Sequence, residues 1–252
     1  MALSLQRKIT VLVLAFYWPA FFISAHIPIP RVVRDANVSD KCLHFLAYLI
    51  LTFLLWVAVF GNQKVNWRKA AAWWMLLAIV GYGLADELLQ NLVAGRSCDM
   101  RDLFMDVAGA LTGLILCSVF SFWPAALIIT AMFIFGITNV ARVNVANFFP
   151  VASALFYLLA YAVFTLLWLQ TLKPYASRLG SRRLSARWLV LALAAPVTLL
   201  LTVKLASVVL GRTFIVRDML ISLVGIGGVV ASVCLTSVFH RIRYRRRSNE
   251  NE

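Results

Sequence analysis

The stretch CLHFLAYLILTFLLWVAVF, residues 42–60, runs for nineteen residues without a Lys, Arg, Asp or Glu. At about 1.5 Å of rise per residue such a helix is roughly 29 Å long, matching the ~30 Å hydrocarbon core of a bilayer. Working outward, seven more apolar runs appear, near 9–29, 70–94, 103–122, 124–141, 151–172, 188–210 and 219–239. The 252-residue chain is 62% hydrophobic, well above the roughly 45–50% of soluble domains. Its mean hydropathy is +0.87. The charged residues fall mostly between the runs or at their ends. These features predict an all-α integral membrane protein with about eight transmembrane helices.

The first run follows Arg7 and Lys8, as the core of a signal peptide would. It continues through Pro28 without a clear small-residue cleavage site, so it is read as a retained span. The net charge of +14 would suggest nucleic acid in a soluble protein. Here Lys and Arg in short loops set orientation and touch anionic headgroups, so no nucleic-acid partner is expected. With the N-terminus inside, fifteen Lys and Arg fall in inside segments and eight in outside ones. Both termini are therefore expected in the cytoplasm, the chain crossing a plasma or inner membrane. The tail arginines Arg241, Arg243, Arg245, Arg246 and Arg247 then flank the last span. Cys42, Cys98, Cys117 and Cys234 are widely spaced, and no His accompanies them at zinc-like spacing. Neither a disulfide framework nor a zinc site is expected from them.

The chain also repeats itself. Residues 95–109, GRSCDMRDLFMDVAG, and 211–225, GRTFIVRDMLISLVG, share Gly-Arg, Arg-Asp and a closing Gly at an offset of 116. Residues 43–55, LHFLAYLILTFLL, and 156–168, FYLLAYAVFTLLW, share Leu-Ala-Tyr and a later Thr at an offset of 113. The three-residue difference falls in the loop before each copy's third span. The frame that persists is polar, which chance similarity between apolar helices does not supply. The expected architecture is two parallel four-helix repeats, related by an axis along the membrane normal because each copy has an even number of spans. The first unit covers 1–122 and carries a polar site. A degenerate second unit covers 123–240, and 241–252 form a basic cytoplasmic tail.

Seven of the ten acids lie between Asp35 and Asp106. Lys41, His44 and Tyr48 stand at i, i+3 and i+7, one face of the second span. Interfacial anchoring alone would also account for them. Asp86, Glu87 and Gln90 cluster near the outer end of the third span, where a carboxylate is costly unless it is used or paired. Arg96, Asp99, Arg101, Asp102 and Asp106 open the fourth. Asp99 and Asp102 can be explained as helix-start acids, whereas Asp106 lies a turn deeper. Gly109 and Gly113 make a small-xxx-small pair that admits a neighbouring helix. With the orientation above, all three sets meet at the extracytoplasmic face. In the second copy His44 becomes Tyr157, Glu87 becomes Val203 and Asp106 becomes Ser222. An active half and a scaffolding half are expected.

At these residues the chain resembles the VanZ-like family, named for a teicoplanin-resistance protein. DKCLHFLAYLIL at 40–51 carries the family's Asp-Lys, His and Tyr as Asp40, Lys41, His44 and Tyr48. ADELLQNLVAGRSCDMRDLFMDVAGALTGLIL at 85–116 carries its Glu-x-x-Gln as Glu87 and Gln90, its Gly-Arg as Gly95 and Arg96, and its acids as Asp99 and Asp102. Asp106 stands where the family usually has Asn, and Leu89 where it is often polar. The resemblance covers roughly residues 10–120. It implies a polytopic envelope protein, in some members linked to glycopeptide resistance, and defines no biochemical activity.

Three functions fit the residues. The first is a site that binds, and could act on, an envelope lipid or lipid-linked glycan. Lys41, Arg96 and Arg101 would hold a phosphate-like group. Tyr48, Asp86, Asp99, Asp102 and Asp106 would complete the substrate site. Glu87 would be the acid or base, with His44 beside it and Gln90 orienting. The second is a transporter or flippase, disfavoured because the ionisable residues gather at one face. The third is a non-catalytic scaffold of an envelope assembly system. A metal held by His44, Glu87 and an Asp is conceivable, but the spacing does not demand it, so neither a metal nor a cofactor is assigned. Soluble-enzyme signatures such as a phosphate-binding glycine loop or a nucleophile elbow are absent. Membrane lipids are the expected partners, and the oligomeric state is open.

Overall fold

The structure, a computed structural model, describes residues 4–28, 39–93, 96, 98–141, 150–178, 186–211 and 215–249, with the backbone alone at 150, 175–178 and 240–249. Gly95 and Arg212 of the repeated frame lie outside the described residues, as do Arg31, Arg34, Asp35, Arg142, Arg182 and Arg183. The tail arginines are described by backbone only.

Among the described residues eight helices follow in order: α1 (Leu5–Ala25), α2 (Asp40–Phe60), α3 (Ala70–Gln90), α4 (Met100–Val119), α5 (Phe122–Phe135, extended by a π-helical turn Gly136–Val140), α6 (Pro150–Arg178), α7 (Ala186–Val209) and α8 (Val216–Asn249). All eight are long and apolar enough to cross a membrane, and the described residues contain no strand. Their ends follow local chemistry. Ser4 caps α1, its Oγ accepting from the Arg7 N–H at 3.3 Å. Asp99 caps α4, its Oδ1 accepting from the Arg101 N–H at 2.9 Å. Gly61 ends α2 at φ 66°, where a side chain would strain. The third helix stops at Gln90 rather than near 94, because residues 91–93 turn back and bond to the carbonyls of Glu87, Leu89 and Gln90. The last helix runs ten residues past the expected 239, so the basic segment continues as helix.

The chain forms two compact units, residues 1–144 and 145–252. In the first, α2 is the central helix, with Tyr48, Leu49, Leu51 and Thr52 fully buried. It packs most extensively on α4, and the glycines explain how. A Cβ on Gly109 would overlap the Phe45 carbonyl oxygen, and one on Gly113 would stand 3.1 Å from the Leu49 carbonyl oxygen. Small residues thus bring the two backbones together. The first helix leans on α2 through Tyr17, whose hydroxyl donates to the Ala47 carbonyl at 2.9 Å, and through Phe21 edge-on to Tyr48. Arg7 reaches the last turn of α2, donating to the Ala58 and Val59 carbonyls at 2.8 and 2.9 Å, which otherwise lack intrahelical partners.

The fifth helix packs with this unit. The Ser39 N–H donates to the Ala141 carbonyl at 2.9 Å, Cys42 Sγ lies 3.8 Å from the Gly136 carbonyl, and Phe53 stacks near Phe122. By packing, the division falls at 144/145. The sequence register instead puts this helix at the head of the second copy, with the boundary at 122/123.

The second unit is built on α6 and α8, with α7 alongside. Leu169, Trp188, Ala192 and Val230 form its core. A Cβ on Gly225 would stand 2.6 Å from the Leu158 carbonyl oxygen. Gly225 and Leu158 are the residues that the two offsets, 116 and 113, pair with Gly109 and Phe45. Tyr161 and Thr165 are fully buried, as are their counterparts Tyr48 and Thr52.

Candidate functional site

At one end of the first unit the start of α2, the end of α3 and the start of α4 come together, and polar side chains from all three meet in two tiers. The outer tier is half open to solvent. Lys41 donates to Asp99 Oδ2 at 3.3 Å and to Asp102 Oδ1 at 3.4 Å. Asp99 also caps α4, and the Arg101 amide and the Lys41 ammonium hold its carboxyl below the usual carboxylate range. Arg101 is exposed, Arg96 half-buried.

The inner tier is closed. His44, Tyr48, Asp86, Glu87, Gln90 and Asp106 are all buried. His44 Nδ1 is 2.9 Å from Asp106 Oδ1 and 3.8 Å from Glu87 Oε1. Its other ring nitrogen, Nε2, faces Asp40 Oδ1 at 3.9 Å. Glu87 Oε2 accepts from the Asp99 N–H at 3.2 Å, which ties the end of α3 to the start of α4. Gln90 Nε2 donates to Asp86 Oδ2 at 2.9 Å. One nitrogen of His44 and one oxygen each of Glu87 and Asp106 lie within 4.8 Å of one another.

Residues 6–121 match the model of the VanZ/LLP1 family. That region belongs to the VanZ/LLP1 family. It spans α1 to α4, stops one residue short of α5, and contains every residue of both tiers. With eight helices apolar enough to span, the chain is a multi-pass membrane protein. Searches among curated proteins and among solved structures returned no match.

The helical spacings read from the sequence bring together the faces they implied. Lys41 turns toward the start of α4, His44 toward Asp106 of α4 and Glu87 of α3, and Tyr48 packs at Gly83 beside Asp106. Asp106 holds the imidazole of His44. One detail of the VanZ/LLP1 unit differs from the sequence reading. Arg96 is a strut: it donates to Gln90 Oε1 at 3.3 Å and to the Ser24 and Ile27 carbonyls at 3.1 and 3.4 Å, tying the end of α3 to the end of α1. One residue was not foreseen. His26, just past α1, brings its Nδ1 to 3.8 Å from Asp86 Oδ1. Its signal was a lone His at the end of the first span, in the stretch AHIPIP. Outside the family region, the second unit keeps a buried Lys204 and Asp218, with the Lys204 ammonium 5.0 Å from the centre of the Tyr157 ring.

Proposed function

We propose that the VanZ/LLP1 unit is an extracytoplasmic-face site for the phosphate-bearing headgroup of an envelope lipid or lipid-linked glycan, in a plasma or inner membrane with both termini cytoplasmic. The observation that carries this reading is the layering: the half-exposed ammonium of Lys41, held by Asp99 and Asp102, stands at the same end of the unit as a buried imidazole–carboxylate group. Lys41 and Arg101 suit a phosphate at the mouth. Beside it Glu87 Oε1, next to His44 and without a hydrogen-bond donor among the described residues, suits proton exchange with a bound headgroup. Gln90 orients by holding Asp86 and Arg96. The glycopeptide-resistance link of some relatives is, for this chain, a phenotype to assay on expression in a susceptible host.

The test is mass spectrometry of lipids retained in native-membrane discs, comparing wild type with Lys41→Met and Glu87→Gln. Arg96 is a poor probe because its loss would loosen α1. A phosphate-bearing lipid enriched in wild type and lost with Lys41→Met supports the site. A reacted form that changes with Glu87→Gln points to chemistry. Identical bulk lipids in all three would overturn the reading.

The two ion pairs of Lys41 favour a second reading, a scaffold whose charges are structural. Under it Lys41→Asp with Asp102→Lys restores function, whereas a headgroup site stays broken. We also propose that residues 123–240 are a degenerate copy of the unit. The matching close approaches at Gly109 and Gly225 support it, and the buried tyrosine–threonine pairs do so independently.

A further inference from the structure

The inner tier is short of positive charge. Asp86, Glu87 and Asp106 are each about 1% exposed. Facing them are the imidazole of His44 from α2, the imidazole of His26 from the end of α1, and, through Gln90, the half-buried guanidinium of Arg96. The ammonium of Lys41 is taken by Asp99 and Asp102. Buried carboxylates persist when paired or bound to metal. Yet Glu87 Oε1, Asp106 Oδ2 and Asp86 Oδ1 accept no hydrogen bond from any described protein group, and the equally buried Tyr48 hydroxyl lacks a partner too.

The geometry is that of a ligand set. His44, Glu87 and Asp106 come from three different helices, and their donor atoms converge within 4.8 Å. Donors sharing one ion at metal–ligand distances of about 2.0–2.2 Å lie roughly 3–3.5 Å apart. The observed 2.9 and 3.8 Å separations bracket that spacing. The parts around the set match an outer shell. Asp40 stands behind the far nitrogen of His44, and the Asp99 amide fixes Glu87 Oε2.

From this convergence of buried donor atoms, with Glu87 Oε1 accepting no hydrogen bond from any described group, we propose that His44, Glu87 and Asp106 bind a divalent transition cation of the Zn²⁺ or Mn²⁺ type. One imidazole nitrogen among carboxylates disfavours Ca²⁺ and Mg²⁺, which prefer all-oxygen shells. Three protein ligands leave coordination positions open, as in a catalytic rather than a closed structural site. The cation does not depend on the headgroup reading. Should that reading hold, an open position would face the phosphate.

The experiment uses full-length protein in lipid discs, stripped with chelator and reloaded with Mn²⁺. Metal content is read by mass spectrometry, and ligation by the nitrogen modulation of the Mn²⁺ spin echo. The expected result is one tightly held ion per chain with an imidazole nitrogen signal, displaced by Zn²⁺. Glu87→Gln and Asp106→Asn should lose it, and Asp40→Asn should weaken it about tenfold. Wild type alone decides if the variants fold poorly: Mn²⁺ that stays water-coordinated without nitrogen modulation overturns the proposal. So does metal retained equally in Glu87→Gln and Asp106→Asn. Lys41→Met separates the two ideas, since it should shed the lipid and keep the ion.

Discussion

Asp106 shows what one buried residue does here. Its carboxylate holds His44 at 2.9 Å in a closed layer, and Asp106→Ala would leave the imidazole without its closest partner. Breaking a buried pair from one side costs about 3–5 kcal/mol, so the variant should melt well below wild type in detergent. Asp106→Asn keeps an acceptor and should lose less. Equal melting for all three would mean that the pair contributes nothing. Asp99 answers to pH. The Arg101 amide and the Lys41 ammonium lower its folded pKa. Its contribution is therefore full above the unfolded carboxylate value of about 3.9 and fades as the pH falls through the lower folded one. The start of α4 should become labile at acid pH, checked by hydrogen exchange around residues 99–104, and Asp99→Asn should blunt the dependence. Lys41, His44 and Tyr48 were legible in sequence because three or four residues make one helical turn. His26 was not, because only the packing of α1 beside α3 brings it to Asp86.

Among the helices, glycines decide which pairs are close. Gly109→Ala would push a methyl group into the Phe45 carbonyl, and Gly225→Ala would do the same at Leu158. Overpacking of this kind costs about 1–3 kcal/mol. Gly81 and Gly228 have open space around them, so alanine there should be neutral or slightly stabilising by helix propensity, up to about 1 kcal/mol. Thermal unfolding of the four variants checks the ordering, and equal losses at all four sites would refute this account of the helix contacts. The small-xxx-small spacing announced a close helix contact on α4, and the packing supplies α2 as the partner. The allegiance of α5 was not announced. Its residues are apolar all round, so no face declares a partner, and the π-turn at Gly136–Val140 leaves no mark in the pattern. Asp218 is legible as the retained acid of the repeated Arg-Asp frame, whereas Lys204, fourteen residues away on another helix, has no counterpart in the first copy to announce its burial.

For the molecule as a whole, orientation is the property to test first. Cys98 is exposed beside the cluster, whereas Cys42 and Cys117 are buried. If the site faces outward, a membrane-impermeant maleimide should label Cys98 in right-side-out vesicles, while Lys64→Cys, at the opposite end of the first unit, should label only after permeabilisation. The reverse pattern would invert the topology. Eight spans were readable because the hydrocarbon core sets a length that composition reveals. The division of packing at 144/145 was not, since it depends on which neighbour each uniformly oily surface meets. The arginine contacts of α1 also bear on biogenesis. Arg7 at one end is tied to carbonyls near the close of α2, and Ser24 and Ile27 at the other are tied to Arg96, beyond α3. The ribosome makes the helix first and its far anchor only after two more spans have left the exit tunnel. During that interval α1 rests in lipid with one end unsecured, and emergence of Arg96 completes its attachment.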